Sequence, residues 1–320
     1  MRKSFNDGMF TLIGDVHIGK KFKNGVPLNR RGEREILLKE HFRNCVQEGI
    51  QNVEKGVSRG IIQLGDLFDS FCVNYEDLRD VFSILSKVNV PFYILAGNHD
   101  ISKNQDKTSA LRILAWLLAG NPNVKIVIDS PLVFRDINGG INAMVPYKHC
   151  LEEGESLLPD PRAYGVNKFS RIYGHFEEPF PLALTEIADK VYTGHIHAPR
   201  VENNVTVVGS IMPLTFAEDP LSEMMLTMTL SEYEATKASG FDFHNFCLRI
   251  NLKNGETLPD DVDCLQIISM RNDVEDNNED INVDYDMFNI EEMFHEALDE
   301  LGLFEEFYNL YLENKLAASI

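Results

Sequence analysis

The chain has 320 residues, of which 44% are hydrophobic and 25% charged, and its formal net charge is −20. These values are ordinary for a globular protein with one large core or two modest ones. The absence of a run of about 18 apolar residues excludes a transmembrane helix, and the N-terminal stretch lacks the apolar region of a signal peptide.

The five cysteines indicate a reducing compartment. They are an odd number and show no CxxC spacing, which argues against a disulfide framework and against a thiolate zinc site. We therefore expect a cytoplasmic protein.

The negative charge is concentrated at the C-terminal end of the sequence. Residues 256–320 hold 19 acidic and two basic residues, which leaves the first 255 residues with 31 acidic and 28 basic residues, or a net charge of only −3. The acidity of the whole chain therefore does not exclude a nucleic-acid partner for its body.

The first 215 residues alternate short apolar runs with helical stretches. Helical spacing of apolar residues predicts helices over about 32–57 and 76–88. Eight segments are typical of strands that lead into loops: 10–17, 59–69, 90–100, 123–129, 139–147, 170–177, 189–197 and 204–210. This alternation predicts a layered α/β domain with partly parallel sheets, in which functional sites collect after the carboxyl ends of strands.

The remaining sequence divides into three further segments. Residues 216–268 contain two predicted strands and an Asn-Gly turn signal, and we refer to them as the small cap. Residues 269–287 are too acidic and too poor in apolar residues to fold alone, so we interpret them as a linker. Residues 288–320 contain two predicted amphipathic helices with aromatic faces.

Polar residues follow five of the predicted strands, often directly after a glycine. The segments are DVH, GDLFD, GNHD, YGH and GHIH, and they supply the residues Asp15, His17, Asp66, Asp69, Asn98, His99, Asp100, His175, His195 and His197. In an extended segment, residues i and i+2 point to the same side, so the two histidines of GHIH would face one place.

This mixture of carboxylate, amide and imidazole groups favours a borderline divalent ion such as manganese, iron(II) or zinc. The number of candidate ligands is too large for one ion and suits two ions that share a carboxylate. Paired ions about 3.5–4 Å apart serve phosphoryl displacement, because they stabilise the attacking and leaving oxygens and acidify a water. A single His-x-His or Asp-x-His segment would be weak support, whereas the ordered set is specific.

The ordered series resembles the calcineurin-like metallophosphoesterases, and it spans about two thirds of the chain. The segment NVTVVGSIMPLTFAED that follows is similar to a segment of the double-strand-break repair nucleases, which include SbcD and related phage recombination nucleases. By contrast, Ser70 stands where phosphoprotein phosphatases have an arginine after GDxxD. The resemblance implies a metallophosphoesterase sandwich of mixed β-sheets flanked by helices.

The resemblance also implies the role of each motif residue. One metal ion would be bound by Asp15, His17 and His197, the other by Asn98, His175 and His195, with Asp66 shared, and both ions would be manganese. His99 would act as a catalytic residue that steadies the transition state or protonates the leaving oxygen. Asp69 would orient His99 by a hydrogen bond, the alternative for Asp69 being ordinary turn capping.

A basic segment directly follows the DVH motif. It predicts a DNA-binding loop whose cations are Lys20, Lys21, Lys23, Arg30, Arg31 and Arg34. The alternative is a solvated loop whose charges balance acidic residues elsewhere.

The nucleases of this branch act with an SbcC-like coiled-coil ATPase, so the resemblance implies such a partner, docked through 288–316, and a homodimer. The alternative for 288–316 is that its helices pack on the chain's own core. We therefore predict a two-metal DNA nuclease subunit, exonuclease or endonuclease, of recombination or repair in a bacterial or phage-infected cytoplasm. The alternatives are a phosphodiesterase or phosphatase acting on nucleotides or phosphoproteins, which the small cap favours, and a non-enzymatic scaffold.

Overall fold

A computed structural model describes residues 4–104, 107–148, 157–219, 222–259 and 262–271. The predicted linker lies almost wholly outside these ranges, and the predicted helices of 288–320 lie entirely outside them. In the part of the chain that is described, no helix combines the length and the apolar character needed to cross a membrane.

The first half of the chain forms a five-stranded sheet with three helices. Strands β2 to β5 pair in parallel in sequence order, and β1 pairs antiparallel with β2 at the edge. The elements are β1 (Phe5–Asn6), β2 (Thr11–Ile13), α1 (Glu33–Glu54), β3 (Ile61–Gln63), α2 (Tyr75–Leu85), β4 (Phe92–Leu95), α3 (Ala110–Leu117) and β5 (Val124–Val127).

Local sequence explains the helices of this half. In α1 the residues Leu38, Phe42, Cys45 and Val46 are buried at helical spacing and form the face that packs on the sheet. Helices α2 and α3 begin at Asn74 and Ser109, whose side chains accept hydrogen bonds from backbone N–H groups of the first turn, as expected of helix N-caps.

The second sheet has six strands, in the order β10-β11-β9-β8-β7-β6. Its inner strands β11, β9, β8 and β7 are parallel, and the edge strands β6 and β10 are antiparallel to their neighbours. The elements are β6 (Leu132–Arg135), β7 (Ile141–Val145), β8 (Phe169–Gly174), α4 (Leu182–Ile187), β9 (Ala188–Thr193), β10 (Arg200–Glu202) and β11 (Val205–Val207).

The two sheets pack face to face through one apolar layer. Leu12, Ile62 and Leu95 of the first sheet share a buried cluster with Tyr173 and Tyr192 of the second. Separate clusters cover the outer faces, beneath α1 to α3 on one side and beneath α4 on the other. This layered α/β sandwich confirms the predicted fold class.

A third, three-stranded sheet follows in the predicted cap. Its strands pair in parallel, and a helix with a capping box at Thr229 and Glu232 connects the first two. The elements are β12 (Met225–Thr229), α5 (Leu230–Ala238), β13 (Cys247–Leu252) and β14 (Gln266–Arg271). The predicted Asn-Gly signal lies in a turn, but this turn joins parallel strands and makes no hairpin.

Residues of the loop that precedes α1 fasten this third sheet. The Ile267 N–H donates to the Gly25 carbonyl at 2.7 Å, and the Gln266 side chain donates to the Asn24 carbonyl at 2.6 Å. The start of the third sheet also contributes Met225, Cys247 and neighbouring residues to the main core.

Candidate metal centre

The structure brings together all seven residues that were predicted to hold metal ions. They lie just beyond the carboxyl ends of strands from both sheets, at one edge of the sandwich. Asp15 and His17 follow β2, Asp66 follows β3, Asn98 follows β4, His175 follows β8, and His195 and His197 follow β9.

The first donor set consists of Asp15, His17, Asp66 and His197. The Nε2 atoms of His17 and His197 are 3.0 Å apart. His17 Nε2 is 3.7 Å from Asp66 Oδ2, and His197 Nε2 is 3.8 Å from Asp15 Oδ2. Two imidazole nitrogens and two carboxylate oxygens therefore face one small volume.

The second donor set consists of Asp66, Asn98, His175 and His195. Asn98 Oδ1 is 2.9 Å from His175 Nε2 and 3.1 Å from His195 Nδ1, and these two nitrogens are 3.3 Å apart. His175 Nε2 is 3.4 Å from Asp66 Oδ2. The same carboxylate oxygen of Asp66 thus borders both sets.

The donor atoms fit divalent cations. Donors bound at about 2.0–2.2 Å to one ion lie about 3 Å or slightly more from each other. The separations in the second set match this spacing, and two separations in the first set, at 3.7 and 3.8 Å, are longer. Asp15 Oδ2 is buried and, among the described residues, makes no hydrogen bond. An uncompensated buried carboxylate oxygen is costly, and a cation would compensate it.

Carboxylate and carbonyl groups orient three of the imidazoles from behind. His17 Nδ1 is 3.1 Å from Asp69 Oδ1, His197 Nδ1 is 3.2 Å from Glu218 Oε1, and His175 Nδ1 donates to the Leu64 carbonyl at 2.9 Å. The acceptors behind His175 and His197 favour a proton on Nδ1 and leave Nε2 directed into the donor sets. The contact of His17 with Asp69 is electrostatic, because His17 Nδ1 makes no hydrogen bond among the described residues. Two facing lone pairs repel each other unless a cation lies between them.

Backbone strain and glycines make this convergence possible. His17, Asp66 and His195 have φ values of 56°, 52° and 73°, in the left-handed region that L-residues other than Gly seldom adopt. A Cβ on Gly97 would lie 2.2 Å from the Asp66 backbone N and Oδ1, and one on Gly65 would lie 2.4 Å from His175 Nδ1. The glycines before these motif residues therefore serve close packing of the ligand layer.

The buried charges of the site perturb one another. Burial raises the pKa of Asp15 despite the opposing charge of His175. Burial also opposes ionisation of Asp66, but His175, His17 and the His99 N–H outweigh it and lower the Asp66 pKa. His175 shows the converse: burial disfavours its charged form, yet Asp66 and Asp15 raise its pKa to about 9. The two carboxylates thus create a negative potential that a cation would neutralise.

His99 lies at the exposed rim of the centre. Its ring is perpendicular to that of His17, with centroids 4.9 Å apart, and its backbone N–H donates to Asp66 Oδ1 at 2.9 Å. Asp100, directly after it, accepts backbone hydrogen bonds from Leu67, Phe68 and Gly97 and so fastens this loop.

Asp69 contacts His99 through its backbone carbonyl and not through its carboxylate. His99 Nδ1 is 2.8 Å from the backbone carbonyl of Asp69, whereas the Asp69 carboxylate faces His17 and lies 3.2 Å from Lys20 Nζ. The carboxylate turns away because two cationic or proton-donating groups compete for it. His17, Asp69 and His99 offer ligand atoms within 4.8 Å of one another. The Lys20 ammonium already contacts the Asp69 carboxylate of this group, which disfavours a second cation there.

Two of the six predicted DNA-binding cations serve the fold instead. Arg30 is buried and contacts Glu33, Asp263 and the His244 carbonyl. Arg34 is also buried, although burial lowers the pKa of its guanidinium. It donates to Gln266 Oε1 at 2.6 Å and to the carbonyls of residues 213 and 214.

The predicted DNA-binding role is therefore wrong for Arg30 and Arg34, because their buried guanidinium groups bind residues in and beside the third sheet. Lys21, Lys23 and Arg31 are exposed, and Lys20 is half-buried beside Asp69.

The sequence reasoning missed Glu218. Its carboxylate lies beside His197 Nδ1 and also accepts from the Leu214 N–H at 2.8 Å. Burial of Glu218 disfavours its ionised form, but the contact with His197 outweighs this and lowers the pKa of Glu218 to about 2. Its one sequence signal is the TFAED part of the segment that resembles the repair nucleases, and that resemblance implies no role for Glu218.

Comparison with known proteins gives two findings. Residues 9–199 match the calcineurin-like phosphoesterase family. A 201-residue stretch is 28% identical to the DNA double-strand break repair protein Mre11 of Methanococcus maripaludis, covering 59% of this chain and 51% of that protein. The chain thus spans about half the length of this curated relative. The predicted superfamily, and with it the predicted class of phosphoester hydrolases, is confirmed.

Proposed function

The chain belongs to the calcineurin-like phosphoesterase family, and from this premise we propose that it is a two-metal-dependent DNA nuclease subunit. It hydrolyses phosphodiester bonds as an exonuclease, an endonuclease or both, in recombination or repair. The similarity to a protein named for double-strand break repair supports DNA as the substrate.

One observation carries the proposal: Asp66 Oδ2 lies 3.7 Å from His17 Nε2 and 3.4 Å from His175 Nε2, at the border of two donor sets. In this proposal Asp15, His17, Asp66 and His197 hold one cation, and Asp66, Asn98, His175 and His195 hold the other. Mixed imidazole, carboxylate and amide donors suit manganese, which we propose as the metal.

When bound, two such cations supply Lewis acidity to the phosphate oxygens and acidify a water. The chain's own groups transfer the proton and hold the ligand side chains in position. The Asp69 carbonyl fixes the proton of His99 on Nδ1, so Nε2 is the atom that exchanges a proton with the substrate. In the protonated ring, Nε2–H can donate to the leaving oxygen of the scissile ester. Asp69 and Glu218 keep two ligand rings in place.

The surface beside the centre suits a phosphate backbone. Lys21, Lys23 and Arg31 are exposed on the loop that leaves β2, and cations there neutralise phosphates irrespective of sequence. Lys20 lies closer to the centre and reaches it through Asp69.

Partners and location form a second part of the proposal. An SbcC-like coiled-coil ATPase docks on 288–316, which lies outside the described residues, and the chain forms a homodimer. We also propose a cytoplasmic location, which the five cysteines without CxxC spacing support. Deleting residues 287–320 should weaken co-purification with the ATPase and leave metal binding unchanged. Undiminished co-purification would contradict this docking site.

The activity is tested by incubating the purified chain and manganese with labelled duplex DNA, an aryl phosphodiester and a phosphopeptide. We expect cleavage of DNA, and chelation of the metal should abolish it. Turnover of the aryl diester or the phosphopeptide without DNA cleavage, even with the ATPase added, would favour a phosphatase or small-molecule diesterase instead.

Two variants test the residue roles. Asn98→Ala should abolish activity by removing a ligand, and His99→Ala should lower it while sparing metal binding. Asn138→Ala is a matched control, because Asn138 is exposed in the turn between β6 and β7. Full activity of either site variant would refute its assigned role.

A further inference from the structure

A second cationic surface lies on the far side of β3 from the loop at residues 20–34. A cavity of about 360 Å³ opens there between the loop after Asp100, the start of α3 and the end of β7. Among the residues that the structure describes, its lining includes four cations and one acidic residue: Lys103, Lys107, Arg112, Lys148 and Asp129. This excess of positive charge stands out on a body whose net charge is close to zero.

One residue of the cavity lining also contacts the candidate metal centre. Tyr147 lines it, and the Tyr147 ring is perpendicular to the ring of the ligand His175, with centroids 6.0 Å apart. The Tyr147 hydroxyl donates to Glu177 at 2.8 Å, which fixes the ring at this boundary. Ile101, two residues beyond His99, forms part of the opposite wall.

The cavity also continues away from the centre. A second cavity of about 360 Å³ shares Arg112, Ile128 and Asp129 with the first, and it adds Lys125 and Trp116. Trp116 is the chain's single tryptophan, and 67% of its surface is exposed. Its exposed indole therefore lies beside the cations of this path, where an aromatic ring can serve as a stacking surface.

Arg112 joins the two cavities and is held in place. Its guanidinium contacts the Asp129 carboxylate through both NH groups, one of them at 3.0 Å. The carboxylate orients the guanidinium between the cavities, and Lys103, Lys107 and Lys125 add positive charge to the described part of the path.

Cations that follow a backbone, combined with an aromatic platform, are the chemistry of single-strand recognition. The lysines neutralise successive phosphates, and an exposed indole stacks on a base of any sequence. A duplex would keep its bases paired and unable to stack on Trp116. A protein partner could cover the indole, but it would gain less from a path of lysines that leads to a phosphoesterase centre.

We propose that this surface, the β5 groove (Lys103, Lys107, Arg112, Trp116, Lys125 and Lys148), binds a single DNA strand that extends from the metal centre. The phosphates lie along the lysines and one base stacks on Trp116. The inference rests on the proposed nuclease function, since it takes the substrate to be DNA.

Because the chain has one tryptophan, its emission reports on the groove alone. The full chain, in buffer with a chelator, is titrated with a labelled single-stranded oligonucleotide of about 12 nucleotides while tryptophan emission and label anisotropy are recorded. Saturable quenching at the same concentration as the anisotropy rise is expected. Binding seen by anisotropy without any change in emission would overturn the proposal, as would quenching by a blunt duplex alone.

Substitutions give a second readout. Each phosphate contact to a single strand contributes about 0.7 to the slope of log affinity against log salt. The double variant Lys103→Gln/Lys125→Gln should therefore lower this slope by about 1.4, and Lys103→Arg/Lys125→Arg should retain it. Lys55→Gln is the matched control, because Lys55 is exposed at the end of α1, away from the metal centre.

Trp116→Ala should weaken binding about tenfold, through the loss of one base stack, and Trp116→Phe should restore most of it. Unchanged affinity in the alanine variant together with an unchanged slope in the glutamine variant would overturn the groove. These outcomes are independent of cleavage. DNA cleavage without quenching refutes the groove alone, and quenching without cleavage refutes the nuclease activity alone.

Discussion

The edge that carries the candidate metal centre and the loop at residues 20–34 lie next to each other, yet their sequences predicted their roles unequally well. At the edge, all seven predicted ligands converge on two donor sets. In the loop, two of six predicted DNA contacts are buried in the interior. The difference shows when a residue type predicts a function. It does so only where few other hydrogen-bond or charge partners are available to that polar side chain.

A buried carboxylate or imidazole has few ways to lower its energy. Asp15, Asp66 and His175 are buried at strand ends, and among the common solutions a cation satisfies all of them together. An arginine has many more ways, because five N–H donors can serve phosphates, carbonyls or carboxylates equally well. Arg34 makes its hydrogen bonds to carbonyl and amide oxygens.

The largest effect should come from the atom that both donor sets share. Asp66→Asn removes the bridging charge, and a metal ion contributes several kcal/mol to phosphoryl transfer. Since about 1.4 kcal/mol is a factor of ten in rate, activity should fall at least about a thousandfold. Steady-state cleavage assays measure this, with the exposed Asp189→Asn as control. A loss of less than about tenfold in the Asp66→Asn variant would contradict the claim that the edge, unlike the loop, has residues whose roles the sequence predicts.

The buried arginine should affect stability and not chemistry. Arg34→Ala leaves the Gln266 side chain and two backbone carbonyls without their donor. Unsatisfied buried groups cost about 1–3 kcal/mol each before relaxation, so we expect a loss of about 2–4 kcal/mol in the free energy of unfolding. Urea denaturation measures it. An unaltered midpoint would mean that Arg34 does not fasten the third sheet.

Glu218 should give an intermediate effect. Glu218→Gln keeps the shape but removes the charge that orients His197, and such outer partners are worth about 10–100-fold in metal affinity or activity. Manganese affinity by calorimetry and cleavage rate should fall together. The exposed Glu186 is not in contact with a candidate ligand in the described structure, so Glu186→Gln controls for charge. Normal manganese affinity would remove Glu218 from the site.

The smallest effect should come from Arg31, which is exposed beside the two buried arginines. Arg31→Gln should change the free energy of unfolding by less than about 0.5 kcal/mol and lower the salt slope of duplex binding by about 0.9. Fluorescence anisotropy at several salt concentrations measures the slope. A loss of stability comparable with that of Arg34→Ala would erase the distinction between the two residues.

The main frame of the fold followed from local patterns in the sequence. Helices α1 and α2 and all eight strands predicted in the first 215 residues are present, because their apolar spacing matches the faces that they bury. Strands β1, β6 and β10 are not among the predicted strands. β1 has only two residues, and the edge strands β6 and β10 consist of half-buried and exposed residues, so none shows a clear alternation of apolar and polar residues. The parallel pairing of β12, β13 and β14 depends on long-range contacts that no local pattern contains.

The chemistry of the site was predictable, and its supporting contacts were less so. Ligand types at strand ends predict two ions that share a carboxylate, and the family resemblance implies that this carboxylate is Asp66. Whether Asp69 offers its side chain or its carbonyl to His99 depends on competition from His17 and Lys20. Glu218 reaches His197 only because the segment after β11 folds back over the edge. Contacts between residues that are distant in the sequence determine these partners, so local sequence patterns do not predict them.

Anomalous diffraction from crystals grown with manganese tests the central claim most directly. We predict two anomalous peaks about 3.5–4 Å apart, both within bonding distance of Asp66, with His17 and His197 at one and His175 and His195 at the other. One peak at this edge, no peak, or two peaks without a shared Asp66 oxygen would contradict the account.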